Sequence, residues 1–135
     1  MKAIADTGFV VAFLHSDDRF HGWALDTASR LDAPMLTCEA VLAEAAFHLR
    51  SAEVVLQLTE AGMLRVAFDM QPHLASLRSL AERFANRAPD LADLCLIRMS
   101  ELFPRHTVVT TDEADFRVYR RNKRDAIPLL CPPGR

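Results

Sequence analysis

Four residues in this sequence, Asp6, Glu44, Asp93 and Asp112, carry carboxylates, which bind cations. Each lies at a position where an unpaired charge is unfavourable. Carboxylates that are brought together repel one another and raise each other's pKa unless a cation lies among them. A ligand set made only of oxygen atoms, without His or Cys, favours a hard ion such as Mg²⁺ or Mn²⁺. Such ions hold a phosphate group and activate water, so these residues predict chemistry on a phosphate.

Asp6 and Asp112 each follow a segment that is predicted to be a buried strand. The first strand begins at residue 2 and ends on Asp6, and the β-rich residues 107–111 end on Asp112. In an open α/β sheet, functional sites form beyond the carboxyl ends of the parallel strands. The alternative is that each Asp only caps the helix after it, by accepting hydrogen bonds from the free N–H groups of the first turn.

Glu44 is the only polar residue in the eight-residue run from Ala40 to Phe47. A charge on so apolar a helix is expected to be partly buried, and a buried carboxylate is unfavourable by several kcal/mol unless it is paired or bound to a metal. The alternatives are an ion pair with an arginine or a place at the rim of the helix. His48 shares the face of Glu44 and is expected to be a satisfied core histidine.

Asp93 lies in the first turn of a predicted helix that is apolar nearly all round. Asp90 and Asp93 are three residues apart, which resembles a capping box at a helix N-terminus. Residues 94–97 are continuously apolar, so we expect this helix to be buried and Asp93 to point inward. Capping is the alternative for both residues, because the helix dipole favours negative charge there.

Alternating strand and helix patterns must position these carboxylates. They predict an α/β fold with a mostly parallel sheet of about five strands, flanked by helices on both faces. Strands are expected over residues 2–6, 35–38, 64–68, 107–111 and 127–130, and Pro128 suggests that the last lies at an edge. Helices are expected over 7–14, 20–31, 40–50, from Ser51 to a stop at Gly62, from Pro72, over 90–102, and over 113–121.

The bulk composition predicts one domain over residues 1–135. Half of the 135 residues are hydrophobic and a quarter are charged, which is globular, and the net charge of −2 excludes an overall basic field for nucleic acid. The three cysteines match no disulfide framework and no zinc spacing, so reduced thiols and a cytoplasmic location are expected. No segment resembles a signal peptide or a membrane span, so no membrane association is expected.

The ordered set of motifs resembles a known family. Asp6-Thr7 follows the first strand, Glu44 lies in an Ala/Leu-rich helix, and Asp93 lies in the stretch Ala-Asp-Leu-Cys-Leu-Ile. The fourth motif is Thr-Thr-Asp-Glu-Ala-Asp-Phe over residues 110–116. Across essentially the whole chain, this order resembles the PIN-domain nucleases, in particular the VapC-like toxins of bacterial type II toxin–antitoxin modules. The family often has Asn or Ser where this chain has Gly8, which predicts one hydrogen bond fewer near the site.

The resemblance implies a single PIN-like domain and a Mg²⁺- or Mn²⁺-dependent endoribonuclease that hydrolyses RNA phosphodiesters. Asp6, Glu44, Asp93 and Asp112 would be the catalytic and metal-binding residues, and Asp115 an accessory carboxylate. The resemblance also implies that Thr7 and Thr110 orient water or phosphate. Family members of this type are usually homodimers that a small antitoxin protein holds inactive.

A basic cluster follows the last acidic motif and has two interpretations. Its members are Arg117, Arg120, Arg121, Lys123 and Arg124. Because the site itself is acidic, RNA phosphates need cationic flanks, and this cluster is a possible RNA-binding surface. The alternative is a solvated helix face.

Three other functions compete with the nuclease hypothesis. A PIN-like module that is catalytically silent and binds RNA or protein would share the same fold. A phospho-accepting receiver domain would use Asp69 at the end of the third strand, but Ala5 stands where it needs a second acid, and residues 127–135 contain no lysine. A haloacid-dehalogenase-like phosphatase would need an Asp where this chain has Gly8.

Overall fold

The strands of the protein are short and form two sheets. The structure is a computed structural model that describes residues 1–134. Across these residues the strands are β1 (Ala3–Ala5), β2 (Met35–Thr37), β3 (Leu64–Val66), β4 (Thr107–Val109), β5 (Arg120–Arg121), β6 (Asp125–Ala126) and β7 (Leu129–Leu130). The main sheet has the order β3-β2-β1-β4-β7 and all its pairings are parallel, whereas β5 and β6 form an antiparallel hairpin.

Seven α-helices connect and cover these strands over the described residues. They are α1 (Thr7–Leu14), α2 (His21–Ala28), α3 (Glu39–Leu49), α4 (Ala52–Glu60), α5 (Leu74–Arg83), α6 (Leu91–Leu102) and α7 (Glu113–Val118). Short 3₁₀ turns precede α5 at Gln71–His73 and α6 at Ala85–Arg87. This architecture confirms the predicted α/β fold with a parallel five-stranded sheet.

The centre of the sheet is buried on both faces. Every residue of β1 and β2 is buried, and successive strand residues point to opposite faces, so the helices must cover both sides. The packing at this centre joins Ile4, Leu36 and Val108 from three neighbouring strands to apolar residues of α1, α3 and α6. Little exposed sheet remains on which a site could form, except at the strand ends.

The order of the strands creates a crevice between β1 and β4. From β1 the chain moves outward through β2 and β3, and then returns to add β4 and β7 on the other side. Loops that leave neighbouring strands in opposite directions open a space beyond their carboxyl ends, which is where open α/β sheets bind ligands. Asp6 directly follows β1 and Thr110 directly follows β4, and the Asp6 N–H donates to the Val109 carbonyl at 3.0 Å.

The predicted helix over residues 113–121 is wrong at its C-terminal end. α7 stops at Val118, and Tyr119 leaves the helix with an extended ψ of 148°. The cause is tertiary packing, because the Tyr119 ring is fully buried and lies edge-on to Phe84 and Phe116 at 5.3 and 5.2 Å. The chain then turns through β5 and β6 instead of continuing as a helix.

Other predicted boundaries differ by a few residues. The second helix is α2, which is shorter than residues 20–31 because i→i−3 bonds replace helical bonds after Ala28. Pro72 lies in a 3₁₀ turn and not in the helix that it was expected to open. Of the strands predicted over residues 35–38, 64–68 and 107–111, only the first three residues of each form a β-strand. Pro128 immediately precedes β7, which is an edge strand as expected.

The described residues contain no helix that is both long enough and apolar enough to cross a lipid bilayer.

Two glycines should respond oppositely to replacement by alanine. Gly62, after α4, has φ +87°, so Gly62→Ala should lower the free energy of unfolding by about 1 kcal/mol through backbone strain. Gly22 is helical, with open space around a built Cβ, so Gly22→Ala should raise it by about 0.5–1 kcal/mol. Urea denaturation of both variants measures the difference, and destabilisation of equal size at both positions would contradict the assigned conformations.

Candidate metal centre

An acidic cleft of about 350 Å³ lies over the carboxyl ends of β1 and β4. Its lining includes the four predicted carboxylates, from four separate parts of the chain, together with two carboxylates that the sequence did not single out for it: Asp6, Glu44, Asp93 and Asp112, with Asp18 and Asp90. The fold therefore brings the predicted site residues to one place. Their roles in catalysis and metal binding stay predictions.

Asp6 is the deepest carboxylate of the cleft and is only 6% exposed. One of its oxygens accepts from the Thr7 N–H at 2.7 Å, as an N-cap of α1, and the other accepts from the Thr110 hydroxyl at 2.5 Å. Burial raises the pKa of Asp6 to about 6, with smaller contributions from Asp112 and Glu44 against the lowering effect of both hydrogen bonds. The capping alternative and the cleft position are thus both correct for this residue.

Thr110 and Thr7 hold carboxylates in place. Thr110 is fully buried, and its hydroxyl donates to Asp6 while accepting the Asp112 N–H at 2.9 Å, which ties the two strand-end acids together. The Thr7 hydroxyl donates to Glu44 Oε1 at 2.7 Å. Each hydroxyl has one proton, which is used for these carboxylates. The role of Thr7 and Thr110 in orienting water or phosphate stays a prediction.

Glu44 and Asp90 approach each other across the cleft from α3 and the start of α6. The pKa of Glu44 is raised, first by burial and then by Asp90, while Thr7 and the nearby His48 oppose the shift. Among residues 1–134 no arginine forms an ion pair with Glu44, so that alternative is wrong. His48 is exposed at the mouth of the cleft and is not the core histidine that was expected.

Asp93 is the second carboxyl group of the cleft whose pKa is strongly raised. Its backbone N–H donates to Asp90 Oδ1 at 2.8 Å, which confirms Asp90 as the N-cap of α6. Burial raises the pKa of Asp93 to about 7, followed by repulsion from Asp90 and Asp6, while a hydrogen bond from the Tyr119 hydroxyl at 3.0 Å opposes the rise. Asp93 is half-buried and does point inward, as the apolar residues after it predict.

Three carboxylates are placed as a set of cation ligands. One oxygen each from Asp93, Asp112 and Asp115 lies within 4.8 Å of the others. Burial and the neighbouring Asp115 raise the pKa of Asp112, whose Oδ1 accepts the Asp115 N–H at 3.3 Å. Asp115 also pairs with Arg87, whose Nη1 lies 3.2 Å from its Oδ1.

The donor set fits a hard divalent cation. The three nearby oxygens are carboxylates from α6 and from the turn into α7, with the buried Asp6 behind them, and such oxygen ligands suit Mg²⁺ or Mn²⁺. Cations within the described residues offset little of this charge, because Arg87 contacts only Asp115 and His48 lies near Glu44. The protein alone thus leaves the cluster under-neutralised, and a divalent ion would complete it.

The sequence missed three contacts in and around the cleft. Asp90 was assigned a capping role alone, although two acids three apart in one helical turn lie on the same end of the helix and could have indicated its place beside Asp93. Tyr119 and Arg87 lie 26 and 28 residues from the acids that they contact, and no local pattern marks either pairing.

The basic cluster is largely occupied in holding the fold. Arg117 pairs with Glu113 at 3.0 Å, the Arg120 guanidinium donates to backbone carbonyls including Tyr119 at 3.0 Å, and Arg121 donates to the Ser100 carbonyl at 2.8 Å. Lys123 and Arg124 are exposed in the hairpin turn. The residues do not share one helix face, so that alternative is wrong, and RNA binding by this cluster stays a prediction.

Gly8 is required by the way its neighbour packs. A Cβ built at Gly8 would overlap the Thr111 hydroxyl oxygen and lie 3.2 Å from Thr111 Cβ. Both residues line the acidic cleft. The Thr111 hydroxyl therefore fills the space into which a larger side chain at residue 8 would extend.

The metal-free protein should lose stability as the pH rises from about 4 to about 7. Asp6 and Asp93 have pKa values of about 6 and 7 in the fold but an ordinary value of 3.8, so the folded state binds more protons in this window. For the buried Asp6 alone, the loss at neutral pH corresponds to roughly 3 kcal/mol. Thermal melts in EDTA at a series of pH values measure it, and a Tm that rises over this window would contradict the shifts.

Replacing Thr110 by valine should weaken the centre without changing the strand. Thr110→Val leaves the Asp112 N–H and one Asp6 oxygen without their partner, which should lower the free energy of unfolding by about 1–3 kcal/mol. It should also weaken Mn²⁺ binding, measured by calorimetry, by roughly tenfold or more. Thr107→Val, at the other end of β4, is the matched control and should leave Mn²⁺ binding unchanged.

Comparison with known proteins assigns no family to this chain. No protein-family model matches the sequence, and a search of curated proteins finds no match. The chemistry of the cleft is therefore inferred from its own side chains and their positions.

Proposed function

We propose that this protein is a Mg²⁺- or Mn²⁺-dependent endoribonuclease. The observation that supports the proposal is that one carboxylate oxygen each of Asp93, Asp112 and Asp115 lies within 4.8 Å of the others. They lie beside the crevice between β1 and β4, where the strand order of the parallel sheet reverses. Buried Asp6 and half-buried Glu44 lie in the same cleft. A cluster so acidic is suited to a cation, and a cation in an open cleft is suited to a phosphate.

The ligand set would be Asp93, Asp112 and Asp115, with Asp6 behind them. When bound, the ion supplies an activated water and neutralises charge that develops on the phosphate. Thr110 holds Asp6 and the backbone of Asp112 in fixed relative positions, and the Tyr119 hydroxyl orients the Asp93 carboxylate. These hydrogen bonds preorganise the carboxylates, so little rearrangement is needed when the substrate arrives.

Glu44 would act as the proton acceptor for the attacking water. It lies outside the group of three ligands, and its Oε1 is oriented by the Thr7 hydroxyl at 2.7 Å. Its raised pKa makes it a stronger base than an ordinary glutamate at neutral pH. In this step the water oxygen would bond to phosphorus, the bond from phosphorus to the leaving ribose oxygen would break, the water proton would pass to Glu44, and the leaving oxygen would take a proton from solvent.

The identity of the substrate and partners is proposed from the resemblance to VapC-like PIN-domain toxins. On that basis the substrate is RNA, the protein is a cytoplasmic homodimer, and a small antitoxin protein controls it. The deep placement of Asp6 and the open mouth at His48 support access by a flexible single strand to a phosphate held over the cluster.

Cleavage of a mixed RNA pool by the purified protein tests the proposal. Cutting should require Mg²⁺ or Mn²⁺, stop in EDTA, and fall by roughly 100-fold or more in Asp93→Asn, because a ligand is lost while the fold remains. Asp125→Asn, which changes an exposed acid of the hairpin, is the matched control and should cut normally.

Absence of cutting by the folded protein at every metal concentration would contradict the nuclease proposal. Calorimetry with Mn²⁺ would then test whether the folded protein still binds a metal ion. A protein that neither binds Mn²⁺ nor cuts RNA would be the catalytically silent PIN-like module.

A further inference from the structure

A second, smaller cleft adjoins the acidic one. It encloses about 180 Å³, and Thr111 and Asp112 line both clefts, so the two form one continuous depression. Its lining includes one cation, Arg19, and one aromatic ring, Phe20, together with the carboxylates of Asp112 and Glu113. Unlike the acidic cleft, this one therefore offers an arginine and a ring beside its acids.

The loop between α1 and α2 presents Arg19 and Phe20 in a fixed arrangement. The Phe20 N–H donates to Asp18 Oδ1 at 2.8 Å, and the His21 N–H donates to the Asp18 carbonyl at 3.0 Å, which closes a tight turn. A hydrogen bond of 2.7 Å between the His21 ring and the Ala12 carbonyl attaches this turn to α1. The backbone that carries the two side chains is therefore held by the scaffold.

Arg19 and Phe20 form a stacked pair in the cleft. The Arg19 guanidinium carbon lies 4.5 Å from the centre of the Phe20 ring, and Phe20 packs its other parts against the core. Arg19 is exposed and makes no ion pair within residues 1–134, whereas the neighbouring Glu113 is paired with Arg117. The positive charge of Arg19 is thus available to bind an anion, beside an acidic cleft that otherwise repels anions.

We infer that this cleft binds the nucleotide next to the scissile phosphate of a single-stranded RNA. Aromatic rings and guanidinium planes stack nucleobases, and because the Arg19 guanidinium already covers the Phe20 ring, the base would stack on the outer face of Arg19, whose N–H groups can also contact a phosphate. The volume suits one heteroaromatic base, and because Asp112 lines both clefts, a nucleotide held here would have its phosphate next to the acidic cluster. The inference rests on the proposed ribonuclease function.

Binding of a short fluorescein-labelled single-stranded RNA of mixed sequence, measured by anisotropy in Ca²⁺, tests this inference. Arg19→Ala should weaken binding and should flatten the slope of log affinity against log salt by about 0.7, because one phosphate contact is lost. Phe20→Leu keeps apolar packing but should weaken binding by roughly tenfold, because the ring that supports the Arg19 guanidinium is lost. Arg105→Ala removes an exposed charge at the opposite end of the sheet and should change neither quantity.

Binding to a series of RNAs that each lack one base provides a second measurement. A purely structural effect of the substitution would not change which base deletion weakens binding. The wild-type protein should lose affinity when one particular base is missing, and Arg19→Ala should be insensitive to the same deletion, as in a double-mutant cycle. Equal sensitivity in both proteins would overturn the inference, as would a wild-type protein that binds no RNA. Circular dichroism of each variant verifies folding.

The outcomes separate this inference from the proposed function. If the wild-type protein cuts RNA while Arg19→Ala and Phe20→Leu behave as Arg105→Ala does, the cleft is not the nucleotide site and the nuclease proposal stands. If the wild-type protein binds RNA with the expected losses in the variants but cuts nothing in Mg²⁺ or Mn²⁺, the nucleotide site stands and the nuclease proposal fails.

Discussion

The hydrogen bond between the Thr110 hydroxyl and Asp6 is the interaction on which the rest of the site depends. It joins the loops after the two central strands, and because Thr110 also accepts the Asp112 N–H, it sets where both strand-end acids lie. A buried carboxylate without such donors would be strongly disfavoured. The fold tolerates Asp6 at its centre because α1 and the residue directly after β4 each supply one donor to it.

The fold was largely predictable because its signals are local. Short apolar runs that end in acids, and helices with clear caps such as Ser51 and Asp90, specify a parallel sheet covered by helices. What failed was the end of α7, where local charge favoured helix but the burial of Tyr119 in the core required the chain to turn. Tertiary packing overrides propensity at such points, and no single segment shows it in advance.

The convergence of the carboxylates was predictable in outline, because the ends of neighbouring parallel strands meet at one edge of the sheet. Their fine structure was not. Asp90, Tyr119 and Arg87 enter the site through contacts whose partners are set by the packing of α6 and α7 against the sheet. The shifted pKa values have the same origin, since burial is their largest cause and burial is a property of the assembled fold.

The position of β1 at the middle of the sheet has a consequence for the order in which the molecule assembles. β1 precedes the other described strands in the sequence, yet one of its two neighbours is β4, and the Asp6–Thr110 bond spans 104 residues of sequence. Pairings this distant close slowly, because loop-closure entropy is lost before any contact is gained. The nascent chain on the ribosome would therefore carry separated acids until β4 has been made, and the complete cluster would form only once the residues after β4 become available.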